Sequence, residues 1–250
     1  MPKFSQVFLA DKTICRKICH AIDGENFDFI TEIGPGGGAL TEILYPRYSG
    51  RMAAVEIDRN LVPELSAKFP GLKIINADFM RTDIESELPS GKIAFIGNLP
   101  YDCSTAILDK VLSFQSLSCA VFMFQKEVAF RIMASVGTAD YGILTVSSYL
   151  RAKAELVCVV KAGSFRPVPA VDSAVLKFYP KKTPCNIDKV NNLLKKSFMH
   201  RRKTLVNSLA LCGMDKQKII EALDKLGLPE RVRAQEINPE TYIRLAELIS

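Results

Sequence analysis

The first two-thirds of the chain alternates short apolar, β-rich runs with helical stretches. Residues 29–33, 52–57, 72–75, 93–96 and 120–124 are apolar runs of strand length, and near-continuous hydrophobicity of this kind predicts strands buried on both faces. Residues 38–48, 60–69, 105–114 and 127–133 carry helical patterning between them. Strand–helix alternation predicts a mostly parallel sheet with helices on both sides, an α/β fold. Two further strands, 155–160 and 174–179, flank a Gly/Pro-rich loop at 162–171 and predict a hairpin-like end to the sheet, making seven strands in all. Pro180–Pro184 follows as a linker. Beyond it the pattern is helical at 186–200, 202–212, 215–226 and 238–249, punctuated by Gly213 and by Gly227-Leu228-Pro229. The expected boundaries are therefore a domain at 1–180 and a small all-α domain at 185–250.

Charge sharpens this division. The net charge is +6, and residues 181–250 hold 14 Lys+Arg against 8 Asp+Glu, so the whole excess lies there. Within 181–203, eight basic residues face one acid, Asp188. A localised basic segment suits a polyanionic partner through phosphate attraction and counterion release, and equally suits a solvated helix face. With 48% hydrophobic residues the chain can bury a large core. It has no apolar run long enough to span a bilayer. The first residues lack a basic stretch followed by an apolar one, so no secretory signal is expected. The seven cysteines, 15, 19, 103, 119, 158, 185 and 212, lie mostly inside apolar runs and are expected to be reduced thiols of a cytosolic, cytoplasmic protein. Cys15-x-x-x-Cys19-His20 has no second ligand pair elsewhere, so no metal is expected.

Candidate chemistry begins with Phe29-Ile30-Thr31-Glu32-Ile33-Gly34-Pro35-Gly36-Gly37-Gly38-Ala39-Leu40-Thr41, a strand, a glycine turn and a helix start. Glycines let the backbone turn sharply and let a ligand touch the main chain. Glu56 closes the next strand, 22 residues after Gly34, where a carboxylate can accept both ribose hydroxyls of an adenosine. The constellation fits an adenosine-containing cofactor, and the Gly34-x-Gly36-x-x-Ala39 spacing leaves a nicotinamide enzyme open. Asp78, in Asn76-Ala77-Asp78-Phe79 after the third strand, occupies the position from which an acid accepts the adenine amine in S-adenosylmethionine enzymes. A turn or helix N-cap is its other reading.

Gly97-Asn98-Leu99-Pro100-Tyr101 follows the fourth strand, at the carboxyl edge where doubly wound sheets bind ligands. Its residue types match methylation of the exocyclic N6 of adenine. That lone pair is delocalised into the ring, so the amine needs acceptors that grip its hydrogens and tilt the nitrogen. The Asn98 side-chain oxygen and the Leu99 carbonyl can do so, and Pro100 fixes the turn. Tyr101 offers a face for stacking, worth ~1–3 kcal/mol per base. A sulfonium leaving group is already activated, so positioning dominates and no prior general base is required. An adenine inside a stacked helix cannot reach such a pocket and must be unpaired or flipped. Phe165, in Ser164-Phe165-Arg166-Pro167, is a candidate for the other face of the adenine, or a core residue under a loop. Ser104-Thr105 is the expected cap of the following helix.

Together these segments resemble the small-subunit ribosomal RNA adenine-N6,N6-dimethyltransferases over nearly the whole chain. Gln6-Val7-Phe8-Leu9-x-Asp11, Glu32–Gly36, Glu56-Ile57-Asp58, Asp78, Asn98–Tyr101, Gln125–Val128, Phe165-x-Pro167, Val171–Val175 and Arg201-Arg202-Lys203-Thr204 occur in the family's order. The resemblance implies a class I methyltransferase domain with a Rossmann-like seven-stranded sheet, plus a helical C-terminal rRNA-binding domain. It implies S-adenosyl-L-methionine as cofactor and dimethylation of two adjacent adenines in a hairpin loop near the 3′ end of small-subunit rRNA, within an assembling small subunit. The expected cofactor residues are Gln6, Phe8, Leu9, Gly34, Gly36, Glu56, Ile57, Asp78, Phe79 and Asn98. The expected target-adenine residues are Asn98, Leu99, Pro100, Tyr101 and Phe165. The expected RNA-binding residues are Arg166, Lys195, Lys196, His200, Arg201, Arg202 and Lys203, and a monomer is expected. Relatives that confer macrolide resistance on the large subunit share Asn-x-Pro-Tyr; the segments at 171–175 and 201–204 favour the small-subunit type. The chain departs from the family at Val7, where Asn or His is usual. An aliphatic side chain loses one polar cofactor contact, about 0.5–1.5 kcal/mol.

Overall fold

The computed structural model describes residues 7–88 and 90–249. In chain order the elements are β1 (Phe8–Leu9), α1 (Lys12–His20), β2 (Phe29–Ile33), α2 (Thr41–Tyr48), β3 (Met52–Glu56), α3 (Val62–Lys68), β4 (Lys73–Asn76), α4 (Ile84–Glu87), β5 (Ile93–Asn98), α5 (Ser104–Val111), β6 (Leu117–Gln125), α6 (Lys126–Ile132), α7 (Ile143–Arg151), β7 (Ala152–Val160), β8 (Phe165–Arg166), β9 (Ser173–Pro180), α8 (Ile187–Met199), α9 (Leu205–Leu211), α10 (Lys216–Lys225) and α11 (Pro239–Leu248). They form two compact units, Met1–Ala129 with Ala152–Pro180, and Phe130–Arg151 with Lys181–Ser250.

The first unit holds a seven-stranded sheet in the order β4-β3-β2-β5-β6-β9-β7. Strands β4 through β6 run parallel, and β9 pairs antiparallel with both β6 and β7. The continuous apolar runs of β3, β5 and β6 are explained by burial on both faces: Ala94, Phe95, Ile96, Val121 and Phe122 are all inaccessible. The chain leaves β4 and returns as β5 on the far side of β2, which places the reversal of strand order between β2 and β5. In parallel sheets this is where ligands bind, outside the carboxyl ends. The expected end strands are present with β9 inserted between β6 and β7, so β7 forms the edge. β7 begins at Ala152, earlier than its pattern indicates, and its register shifts between Leu156 and Cys158, which breaks the simple alternation.

Helix α2 starts at Thr41, not 38, because Gly38 lies at φ 83 and cannot be helical. Two short strands, β1 and β8, pair antiparallel, with Phe8 opposite Arg166 and Leu9 opposite Phe165. Two-residue strands carry no periodicity, so the sequence does not announce them. Asp11 caps α1 through the Thr13 and Ile14 amides. Cys15 and Cys19 sit in the hydrophobic core between α1 and the sheet, where burial raises both thiols above their ordinary pKa.

The second unit corrects the expected boundaries. Residues 130–151, expected within a continuous 1–180 domain, pack with the C-terminal helices instead. Tyr141, Val146 and Leu150 share one core with Val190, Leu194, Leu205, Leu209, Ile219, Leu223 and Leu245. Helix α7 buries Val146 and Leu150 in that core. The Tyr141 hydroxyl donates to the Ile237 carbonyl at 2.7 Å, and the Tyr242 hydroxyl to the Ala234 carbonyl at 2.8 Å. Asn186, Thr204, Asp215 and Asn238 cap α8, α9, α10 and α11. These caps explain why each helix begins at or just after an Asn, Thr or Asp.

Candidate active site

Three glycines turn the chain between β2 and α2 with positive φ: Gly34 at 67, Gly36 at 54 and Gly38 at 83. A side chain at Gly36 would meet the Phe8 ring at 3.0 Å, and one at Gly38 would meet Phe69 at 2.8 Å. The loop is therefore a bare backbone surface held close to its neighbours. Beside it, a Cβ on Gly97 would lie 2.6 Å from the Ile33 carbonyl oxygen. The absence of a side chain there lets β5 run tight against β2 and brings the Asn98 turn next to the glycine loop.

Glu56, at the end of β3, is 3% exposed. One carboxylate oxygen accepts the Gly36 amide at 3.0 Å and the other accepts the Asp58 amide at 2.9 Å. Both bonds fix the carboxylate without exhausting its acceptor capacity of about four lone-pair sites. Behind it, Glu32 is buried and accepts the Thr41 hydroxyl at 2.6 Å, tying β2 to the first turn of α2. Burial pushes the Glu32 carboxyl up to about 7, repulsion from Glu56 adds to this, and the Thr41 bond opposes it. Glu32 drew attention only as part of the glycine motif; its role as a buried strut follows from the acid–Thr pairing across the loop.

Asp78 accepts the Met80 amide at 2.9 Å and lies 3.4 Å from Arg81. It is thus a turn residue, with its carboxylate at the exposed end of β4. Ile57 is 46% exposed next to Glu56. Phe8 is half-exposed against the glycine loop. Leu9 and Phe79 are different: Leu9 belongs to the sheet core, and Phe79 packs on Phe95 and Phe114. Their side chains are packed in the core, which leaves their backbones to make the expected cofactor contacts. Lys110 donates to the carbonyls of Phe79 at 2.6 Å and Thr82 at 2.7 Å, holding this segment in place. Gln6 lies outside the described residues.

In the tetrapeptide, the Asn98 amide nitrogen donates to the Val7 carbonyl at 3.2 Å. This bond sets the amide orientation and, among the described residues, leaves Oδ1 without a donor. It also gives Val7 a contribution that its aliphatic side chain does not limit. Leu99 is buried, Pro100 is exposed and Tyr101 is half-buried. The Tyr101 hydroxyl is 2.8 Å from the Ser173 Oγ. Ser104 does not cap α5 as expected. Cys103 occupies the cap position, and the Ser104 hydroxyl donates back to the Tyr101 carbonyl at 3.2 Å.

Phe165 is corrected as well. It is wholly inaccessible, in the core, on the strand that pairs with β1. Strand alternation turns its ring inward and turns Arg166 out, so in this structure the ring offers no face to a base. Arg166 donates to the carbonyls of Gly163 at 3.0 Å and Phe165 at 2.7 Å and remains exposed.

In the helical unit, Lys195, Arg202 and Lys203 are exposed, and Lys196 and His200 are partly exposed around the end of α8. Arg201 is otherwise employed: its guanidinium donates to the carbonyls of Thr138, Ala139 and Tyr141, the last at 2.9 Å. It pins the turn before α7. The residue remains exposed while it does so.

The bare glycine cradle, the carboxylate at its lip and the Asn98 acceptor at the neighbouring strand end suit an adenosine carrying a reactive sulfonium. Comparisons with known proteins agree. A family model described as ribosomal RNA adenine dimethylase matches residues 1–250. The chain is 38% identical to a ribosomal RNA small subunit methyltransferase A of Geobacter metallireducens, covering 96% of this chain and 92% of that protein. It is 34% identical to one of Acidobacterium capsulatum, covering 98% and 89%. Its structure is similar to a dimethyladenosine transferase from Plasmodium falciparum, with TM-score 0.81, 28% identity and 95% of both chains covered. It is also similar to the 23S rRNA methyltransferase ErmE, with TM-score 0.72, 27% identity and coverage of 97% and 99%. Fold and cleft thus define a class I S-adenosylmethionine-dependent methyltransferase. The chain belongs to the ribosomal RNA adenine dimethylase family and is an rRNA adenine-N6,N6-dimethyltransferase.

Proposed function

We propose that the chain dimethylates N6 of two adjacent adenines in a hairpin loop near the 3′ end of small-subunit rRNA, on an assembling small subunit. The observation carrying this reading is the Asn98 amide, whose nitrogen donates to the Val7 carbonyl and whose oxygen, without a donor among the described residues, can accept from an incoming amine. The names of the relatives, small subunit methyltransferase A, support the choice of subunit.

The cofactor supplies a methyl group already activated on sulfonium sulfur. Glu56 would hold the ribose hydroxyls, Ile57 and Asp78 would meet the adenine, and the bare glycine backbone at Gly34 and Gly36 would carry the rest. Phe8 and Asn98 close the cleft. Asn98 Oδ1 and the Leu99 carbonyl accept the two amine hydrogens of the target, which localises the nitrogen lone pair. Pro100 rigidifies the turn, and Tyr101 stacks on the flipped base. The methylated nitrogen releases one proton to solvent, and after exchange of the spent thioether for fresh S-adenosylmethionine the one remaining N–H is held for the second transfer, which gives the dimethyl product after loss of that proton. Lys195, Lys196, His200, Arg202, Lys203 and Arg166 attract the rRNA backbone. The protein acts as a monomer in the cytoplasm, where its substrate is assembled. No helix among the described residues is long and apolar enough to cross a membrane.

The test is methyl transfer from labelled S-adenosylmethionine to under-methylated small subunits, large subunits and the naked rRNAs, followed by mapping. Label confined to adjacent adenines of the small-subunit particle is expected. Label on the large subunit would overturn the subunit assignment.

A further inference from the structure

We propose that Ser173 is a positioning residue for methylation, holding the Tyr101 ring as the platform on which the target adenine stacks. The inference rests on the reading of Tyr101 given above. Ser173 is the first residue of β9 and has no accessible surface, yet its hydroxyl meets the Tyr101 hydroxyl at 2.8 Å. The bond joins residues 72 positions apart and links the turn after β5 to the β9 strand.

The anchor is held rigidly on both sides. Ser173 pairs in the sheet with Gln125 of β6 on one side and Val160 of β7 on the other. The preceding residue, Asp172, accepts the Ala162 amide at 3.0 Å and the Lys161 ammonium at 3.0 Å, while its carbonyl accepts the Lys126 amide at 2.9 Å. Tyr101 by contrast sits on a turn, half-buried, outside regular structure. A turn aromatic has two side-chain torsions to lose on stacking. Fixing its distal end from an immobile strand removes that freedom before the base arrives, which is preorganisation of the platform. The placement explains why a small hydroxyl residue stands at the buried start of β9. Alanine would fill the same space but leave the buried side of the phenol without a partner.

The test combines Ser173→Ala, Tyr101→Phe, the double variant and Tyr101→Ala, measured on the full chain with under-methylated small subunits. Tyr101→Phe removes the same bond from the half-exposed side and guards against a folding defect in Ser173→Ala. Each single variant is expected to lower kcat/KM for the particle about 3- to 10-fold, the loss of one neutral hydrogen bond. S-adenosylmethionine affinity should be unchanged. The double variant should be no worse than either single one. A hairpin RNA carrying 2-aminopurine at the target position should show less fluorescence quenching with both single variants than with the parent. Additive losses, or a parallel loss of cofactor affinity, would reduce the bond to a general staple and overturn the proposal. Full activity of Tyr101→Ala would instead defeat the platform reading itself. Loss with Tyr101→Ala beside unaffected Tyr101→Phe and Ser173→Ala would defeat the tether alone.

Discussion

The two units treat their polar side chains in opposite ways. In the sheet unit, the groups around the cleft are tied to backbone or to buried partners: Glu56 to two amides, Asn98 to the Val7 carbonyl, Glu32 to Thr41. In the helical unit, Lys195, Arg202 and Lys203 stand exposed around the end of α8. The difference matches the tasks proposed for the two sets of residues. Tilting an amine toward a methyl donor requires acceptors fixed to within a fraction of an ångström, whereas attracting a phosphate backbone requires charge at the surface and tolerates mobility. Arg201 breaks the pattern, since it is a basic residue of the helical unit used as a clamp.

The contrast can be broken at either end. The largest effect is expected at Asn98→Ala, which removes an acceptor from the cleft. Methyl transfer should fall on the order of 10²–10³-fold while the protein remains folded, as judged by circular dichroism and thermal melting. Next comes Glu32. Its folded pKa of about 7 lies above its ordinary value of 4.5. The protonated acid therefore favours the folded state, a contribution fully present below pH 4.5 and lost as pH rises through about 7. Denaturant unfolding across that window should show the parent losing roughly 1–3 kcal/mol relative to Glu32→Gln, with no further divergence above it.

In the helical unit, changing Lys195, Arg202 and Lys203 together to Gln should weaken RNA binding and reduce the slope of log K against log salt by roughly 2, with melting temperature unchanged. Arg201→Gln should do the reverse, lowering the melting temperature by about 2–4 °C while leaving the salt slope alone. If Arg201→Gln instead flattened the slope as the triple variant does, the division between clamp and contact residues would fail.

Much of this architecture was legible from pattern. The parallel strands announce themselves because burial on both faces leaves continuous apolar runs, and the glycine loop because only glycine tolerates its φ values. The cleft residues Glu56 and Asn98 were legible by their position at strand ends. What stayed hidden depends on long-range contacts. The pairing of β1 with β8 spans most of the sheet unit and consists of two residues on each side. That pairing turns Phe165 into the core. Residues 130–151 carry a helix whose partners lie beyond residue 180, so no local signal assigns them to the second unit. Arg201 looks like any other basic residue until the carbonyls of 138–141 are brought to it.

Whether the Asn98 turn presents an adenine amine for methylation is read from the chemical identity of the product. Small subunits methylated by the parent and by Asn98→Ala, digested to nucleosides and analysed by mass spectrometry, should yield N6,N6-dimethyladenosine with the parent and almost none with the variant. A methyl group on a ring atom or another base, or equal dimethyladenosine from both proteins, would contradict the account.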